Sequence, residues 1–189
     1  MNPSYERRLS KTLPQVHDRI AEATDASGRE FESVRLIAVT KAHPVDAVSA
    51  ALAAGLTDLG ENRVEELEEK VPEFGRDFAT WHMIGHLQTN KVKFIAPFVA
   101  LIHGVDSIKL LKEINKRAEQ NNRVIDCLLQ VHIAKESTKF GFNSSEISQV
   151  LLDSSVLQNI RITGLMGMAT FTDDTQQIEK EFKSLKTLF

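Results

Sequence analysis

Apolar residues along this chain keep two rhythms in alternation. Leu9, Leu13, Val16 and Ile20 are spaced four, three and four apart, which puts one stripe on a helical face and predicts an N-terminal amphipathic helix. Pro14 falls inside that stripe, where a missing N–H and a ring clash cost about 3 kcal/mol, so a kink or restart is expected there. DASGRE then reads as a loop. VRLIAVT, residues 34–40, is a near-continuous apolar run of the kind buried on both faces of a parallel sheet, and is the first predicted strand. PVDAVSAALAAG predicts a helix, with Pro44 just inside its start and Gly55 as a left-handed stop. The unit then recurs: LTDLGE, WHMIG, VALIHGV, VIDCLLQVHI and RITGLMGM read as strands separated by helical stretches. Asp106 or Ser107 is placed to cap the helix carrying Ile108, Leu111, Ile114 and Ala118, and Asn143 with Glu146 has capping-box spacing before EISQVLL. The last predicted helix begins near Asp174 and buries Ile178, Phe182 and Leu185.

Alternating strands and helices imply a parallel sheet with helices on its faces, either an open doubly wound sheet or a β/α barrel. Six strands suit the first, because a closed barrel uses about eight strands and about 250 residues. Both architectures bind ligands at the carboxyl ends of their strands. At 189 residues the chain is expected to form a single domain, residues 1–189. Its 42% hydrophobic and 26% charged residues are those of a globular protein, and no segment approaches the ~20 apolar residues that span a bilayer. MNPSYERRLSKTLPQ has no apolar run or cleavage site of a secretory signal, so a cytoplasmic protein is expected. A net charge of −3 without a dense basic stretch argues against nucleic-acid binding. Cys127, within VIDCLLQV, reads as a buried, inert thiol.

The chemistry therefore has to be sought after each strand. Those positions are Thr40, Lys41, Ala42 and His43; Gly60, Glu61, Asn62 and Arg63; Gly85, His86, Leu87 and Gln88; His103, Gly104 and Asp106; Lys135 and Ser137; and Met168, Ala169 and Thr170. Lys41 follows the apolar run directly, where partial desolvation would favour the neutral, nucleophilic amine that Schiff-base formation needs. The plain alternative is a lysine that reaches into solvent. His82 and His86 are four apart but lie on a strand and loop without the glutamate of a metalloprotease pair, so no metal site is read. His82 suits either a barrel-centred ligand or a core histidine, and the remaining histidines form no cluster in the sequence. No nucleophile elbow, Walker loop or dinucleotide fingerprint is present.

Taken in order, LIAVTKAHP, DLGENRVEEL, WHMIGHLQTNK, the KFGF loop and ITGLMGMAT closely resemble the pyridoxal phosphate homeostasis protein family, from about Arg35 onward. That family is similar to the N-terminal domain of alanine racemases. The resemblance implies a β/α (TIM-type) barrel of pyridoxal-phosphate fold type III, with an N-terminal helix and six of eight strands in this chain. It implies pyridoxal 5′-phosphate (PLP) as cofactor, held covalently by Lys41 of the VTK motif. It further implies Asn62 of GEN, His82 of WHMIG and Met166 of GLMGM as cofactor-binding neighbours. Family members usually continue through two more strands that supply most phosphate contacts, and their motifs do not occur here, so a C-terminally incomplete barrel is expected.

Racemisation needs a base on each face of the cofactor, and alanine racemases draw the second from a tyrosine of another subunit. This chain has one tyrosine, Tyr5, far in sequence from any strand end. The expectation is therefore a PLP carrier or reservoir, not an enzyme, that hands the cofactor to apo PLP-enzymes. The complete fold is expected to be monomeric, and a shortened chain prone to self-association through open sheet edges. The alternatives are a small PLP-dependent amino-acid racemase and a non-catalytic open α/β interaction protein.

Overall fold

The computed structural model describes residues 3–75, 78–135 and 140–189. The elements are α1 (Pro3–Ala26), β1 (Ala38–Val39), α2 (Val45–Ala53), β2 (Asp58–Glu61), α3 (Val64–Phe74), β3 (Thr80–Met83), α4 (Val92–Ile95), β4 (Leu101–Val105), α5 (Ile108–Gln120), β5 (Ile125–Gln130), α6 (Ile147–Ser154), β6 (Ile160–Met166) and α7 (Thr175–Leu188). The six strands stand in the sheet in chain order, β1 to β6. Parallel ladders join β1 to β2, β3 to β4, β4 to β5 and β5 to β6. A doubly wound sheet reverses its strand order part-way, whereas a β/α barrel adds each strand beside the last. The winding is that of a partial β/α barrel, with six strands and an N-terminal helix, and not the doubly wound order suggested by strand count.

By packing, the chain divides into two compact units, Met1–Glu61 with Glu66–Trp81, and Asn62–Glu65 with His82–Phe189. In the first, α1 lies along α2. Leu9 and Leu13 border clefts shared with Ala47, Ala50, Ala51 and Ala53, whose small side chains admit the larger helix. α1 continues through Pro14 instead of restarting. Contact of its apolar stripe with α2 outweighs a local penalty of about 3 kcal/mol. β1 departs from expectation in the opposite sense. It has two residues, pairs with β2 at the end of the sheet order, and leaves Val39 48% exposed, so it is not buried on both faces. Val48, Leu59, Leu67 and Trp81 form this unit's buried core.

The second unit buries Ile102, Leu110, Leu111, Ile114, Ile125 and Leu129. Of the two predicted caps for α5, Ser107 is used, accepting from the Leu110 N–H at 3.3 Å. The Asn143 and Glu146 capping box forms ahead of α6, and Asp174 caps α7. Of the three residues expected to face inward on α7, Ile178 and Leu185 are half-buried but Phe182 is not. Phe182 is 46% exposed, and the buried residue is Glu181, whose carboxylate accepts from the Thr170 N–H and hydroxyl, both at 2.7 Å. Satisfying Thr170 just after β6 takes the buried position that an apolar reading gives to phenylalanine. Gly167 has a packing role: a Cβ there would come within 2.9 Å of Leu185 Cδ2 and 2.7 Å of Ile133 Cδ1. Cys127 is fully buried as expected, and burial pushes its thiol up to about 12.

Candidate functional site

Lys41 occupies the turn that follows β1, and its side chain is exposed. The expected partial desolvation is absent, because a terminal two-residue strand cannot wall off the residue after it. What is fixed is the backbone. The Thr40 carbonyl accepts from Lys70 Nζ at 2.9 Å and from the His43 N–H at 3.2 Å. The Ala42 N–H donates to Glu66 Oε1 at 2.6 Å, and Ala42 itself has φ +59°, a left-handed conformation that costs alanine about 1–2 kcal/mol. Beneath the turn, Lys70 is paired with Glu61 at 2.8 Å, with side-chain exposures of 2% and 0%, and the Thr40 hydroxyl donates to the same carboxylate oxygen. Desolvation raises the Glu61 carboxyl above its ordinary value, against the opposing pull of Lys70 and Thr40. Tyr5, distant in sequence, is brought to this turn, its hydroxyl 3.2 Å from His43 Nδ1.

Neither Lys70 nor Glu66 was foreseen. A signal was available: Val64, Leu67 and Val71 mark the inward stripe of α3, and Lys70 sits at the edge of that stripe. A lysine there has to find an anion.

In the second unit, Asn62 follows β2, His82 lies within β3 and Met166 ends β6, all toward the carboxyl ends of parallel strands. Gly85 is obligatory beside Asn62, since a Cβ would collide with the Asn62 carbonyl and side-chain oxygens. His82 is 1% exposed, and its Nδ1 lies 3.0 Å from His103 Nε2, so one ring donates and the other accepts. Burial, and secondarily the charge of His82, lowers His103 to about 4. His86 Nδ1 lies 2.9 Å from Asp106 Oδ2, and its ring stacks on Phe140 at 4.2 Å. The histidines are therefore organised, contrary to the sequence reading, because adjacent strands bring together residues that are 21 and 20 apart in the chain. Met166 is half-buried, and its carbonyl accepts from Val131 at 2.8 Å. After β5, Lys135 Nζ donates to Gln177 Oε1 at 2.8 Å. Ser137, and Lys139 ahead of the KFGF phenylalanines, lie outside the described residues. Among the described residues no group of three or more His, Cys, Asp or Glu side chains is placed to hold a metal ion.

The family described as "Alanine racemase, N-terminal domain" matches residues 13–189. A pyridoxal phosphate homeostasis protein of Aquifex aeolicus is 34% identical over 93% of this chain and 77% of its own length. The chain belongs to the pyridoxal phosphate homeostasis protein family. Among solved structures, an unknown protein from Bifidobacterium adolescentis superposes with a TM-score of 0.91 at 31% identity, covering all of this chain and 80% of that one. PipY of Synechococcus elongatus, in the structure with PLP bound, gives a TM-score of 0.77 at 33% identity over 89% of this chain and 79% of its own. The family's names speak of homeostasis and not of a catalysed reaction. An alanine racemase of Clostridium difficile shares the fold alone, at 15% identity and a TM-score of 0.66. No helix among the described residues is long and apolar enough to cross a membrane.

Proposed function

We propose that this chain, as one domain over residues 1–189, binds PLP as a Schiff base on Lys41 and serves as a cytoplasmic carrier or reservoir of the cofactor. The observation that carries the assignment to Lys41 is an exposed amine in a turn at the carboxyl end of β1, with its backbone held on both sides. When bound, the cofactor supplies an aldehyde, to which the Lys41 nitrogen, after giving up its proton, would add with loss of water. Asn62, His82 and Met166 are its proposed contacts. The residues fit the group: Asn62 offers amide donors, the buried His82 is bonded to a histidine that burial keeps uncharged, and Met166 gives an apolar thioether. Apo PLP-enzymes are the proposed recipients, and a monomer the proposed state.

The test is a visible spectrum with and without PLP, followed by borohydride reduction and peptide mapping. A new band fixed on Lys41 is expected; label centred on any other lysine refutes the site. The racemase reading has one observation in its favour, the Tyr5 hydroxyl bonded to His43 two residues after Lys41. Racemisation of alanine above the rate of free PLP, lost in both Lys41→Ala and Tyr5→Phe, would establish it. No rate above that background is expected.

A further inference from the structure

The peptide units on either side of Lys41 are held by side chains of one helix. The carbonyl of the preceding unit, that of Thr40, accepts from Lys70 Nζ, and the N–H of the following unit, that of Ala42, donates to Glu66 Oε1. Lys70 and Glu66 are one turn apart on α3, and Lys70 is anchored by Glu61. With both peptide planes fixed, the Cα–Cβ direction of Lys41 is fixed, although its side chain is exposed. The carboxylate also sustains the left-handed φ of +59° at Ala42, which an alanine leaves when unsupported. Among the described residues, Glu61 Oε2 and Glu66 Oε2 are buried without a hydrogen-bond partner.

We propose that Glu66 and Lys70 are positioning residues that aim the Lys41 amine at the incoming aldehyde, so that cofactor affinity depends on this α3 clamp. This rests on the assignment of PLP to Lys41. Removing the clamp lets Ala42 relax to negative φ, which swings the following peptide and the lysine with it, and re-ordering the turn is then charged against binding.

The experiment is PLP titration of the whole chain, with borohydride trapping and peptide mapping, well below the melting midpoint of each variant. Glu66→Ala is expected to weaken formation of the Lys41 adduct by about tenfold and to scatter trapped label onto other lysines. Glu66→Gln keeps an acceptor for Ala42 and should stay within about threefold of the parent. The pair Glu61→Gln with Lys70→Met removes the donor to Thr40 without stranding a buried charge, and should match the loss in Glu66→Ala. Parent-like affinity and selectivity in Glu66→Ala and in the paired variant overturn the proposal, as does equal loss in Glu66→Gln and Glu66→Ala. Absence of a Lys41 adduct in the parent chain refutes instead the assignment on which the proposal rests.

Discussion

In the first unit the backbone around Lys41 is fixed by three charged side chains while the lysine itself is exposed; in the second, His82 and His103 hold each other on neighbouring strands with their side chains largely enclosed. Each unit thus prepares its residues in its own way. Under the proposed assignment Lys41 has to form a bond with an arriving aldehyde, which needs access, so precision has to come from the main chain. The His82 ring gains precision from its own burial and its bond to His103, whose charged form burial disfavours. Exposure at Lys41 and burial at His82 are two answers to the same positioning problem.

The largest effect expected is at the exposed end of this contrast. Lys41→Ala should abolish the borohydride-fixed adduct while changing stability by no more than about 0.5 kcal/mol, measured by urea unfolding, because the side chain makes no buried contact. A large loss of stability would show that the lysine is structural. Next comes Lys70→Met alone, which leaves Glu61 charged, buried and unpaired and should cost about 3–5 kcal/mol. Stability equal to the parent would mean that the pair contributes nothing to holding the turn.

The histidine pair predicts a pH dependence. His103 is lowered from 6.5 to about 4, so between those values the unfolded chain binds a proton that the folded chain refuses. Stability from this residue is complete above about pH 6.5 and is lost as the pH falls toward 4. After discounting for its partial exposure, the loss is about 2 kcal/mol. Urea unfolding across that range should show a shallower slope in His103→Gln than in the parent; identical slopes would remove His103 from the account. The smallest effect is at α7, where Phe182→Ser should change stability by less than about 0.5 kcal/mol despite the loss of a large aromatic.

Strand and helix alternation was readable because both faces of the core carry regular apolar repeats, and all six strands overlap the segments that the repeats mark, β3 and β6 each beginning one residue earlier. Caps were readable too, since Ser107 and the Asn143 and Glu146 box act within three residues. Strand order was not, because the number of strands does not encode whether each new strand joins on the same side as the last. Lys41 stands out through its motif and its place after β1, yet its exposure is not readable there: an apolar run says nothing of whether its strand has one neighbour or two. The position of Lys70 on the α3 stripe marks a buried cation, but the contacts that Glu66 and Lys70 make to the Lys41 turn are not readable, because Ala42 and Thr40 lie 24 and 30 residues away and contribute backbone atoms, which leave no mark in residue type. The pairing of His82 with His103 was hidden by the same kind of separation.

Cys127 gives the molecule a built-in clock. Its thiol is fully enclosed within β5 and holds its proton until about pH 12, so a thiol reagent at neutral pH can attack only when the strand is exposed. The rate at which a small disulfide reagent labels this one sulfur therefore counts openings of the sheet. Slower labelling in the presence of PLP would time how the cofactor holds the sheet shut, without any engineered probe.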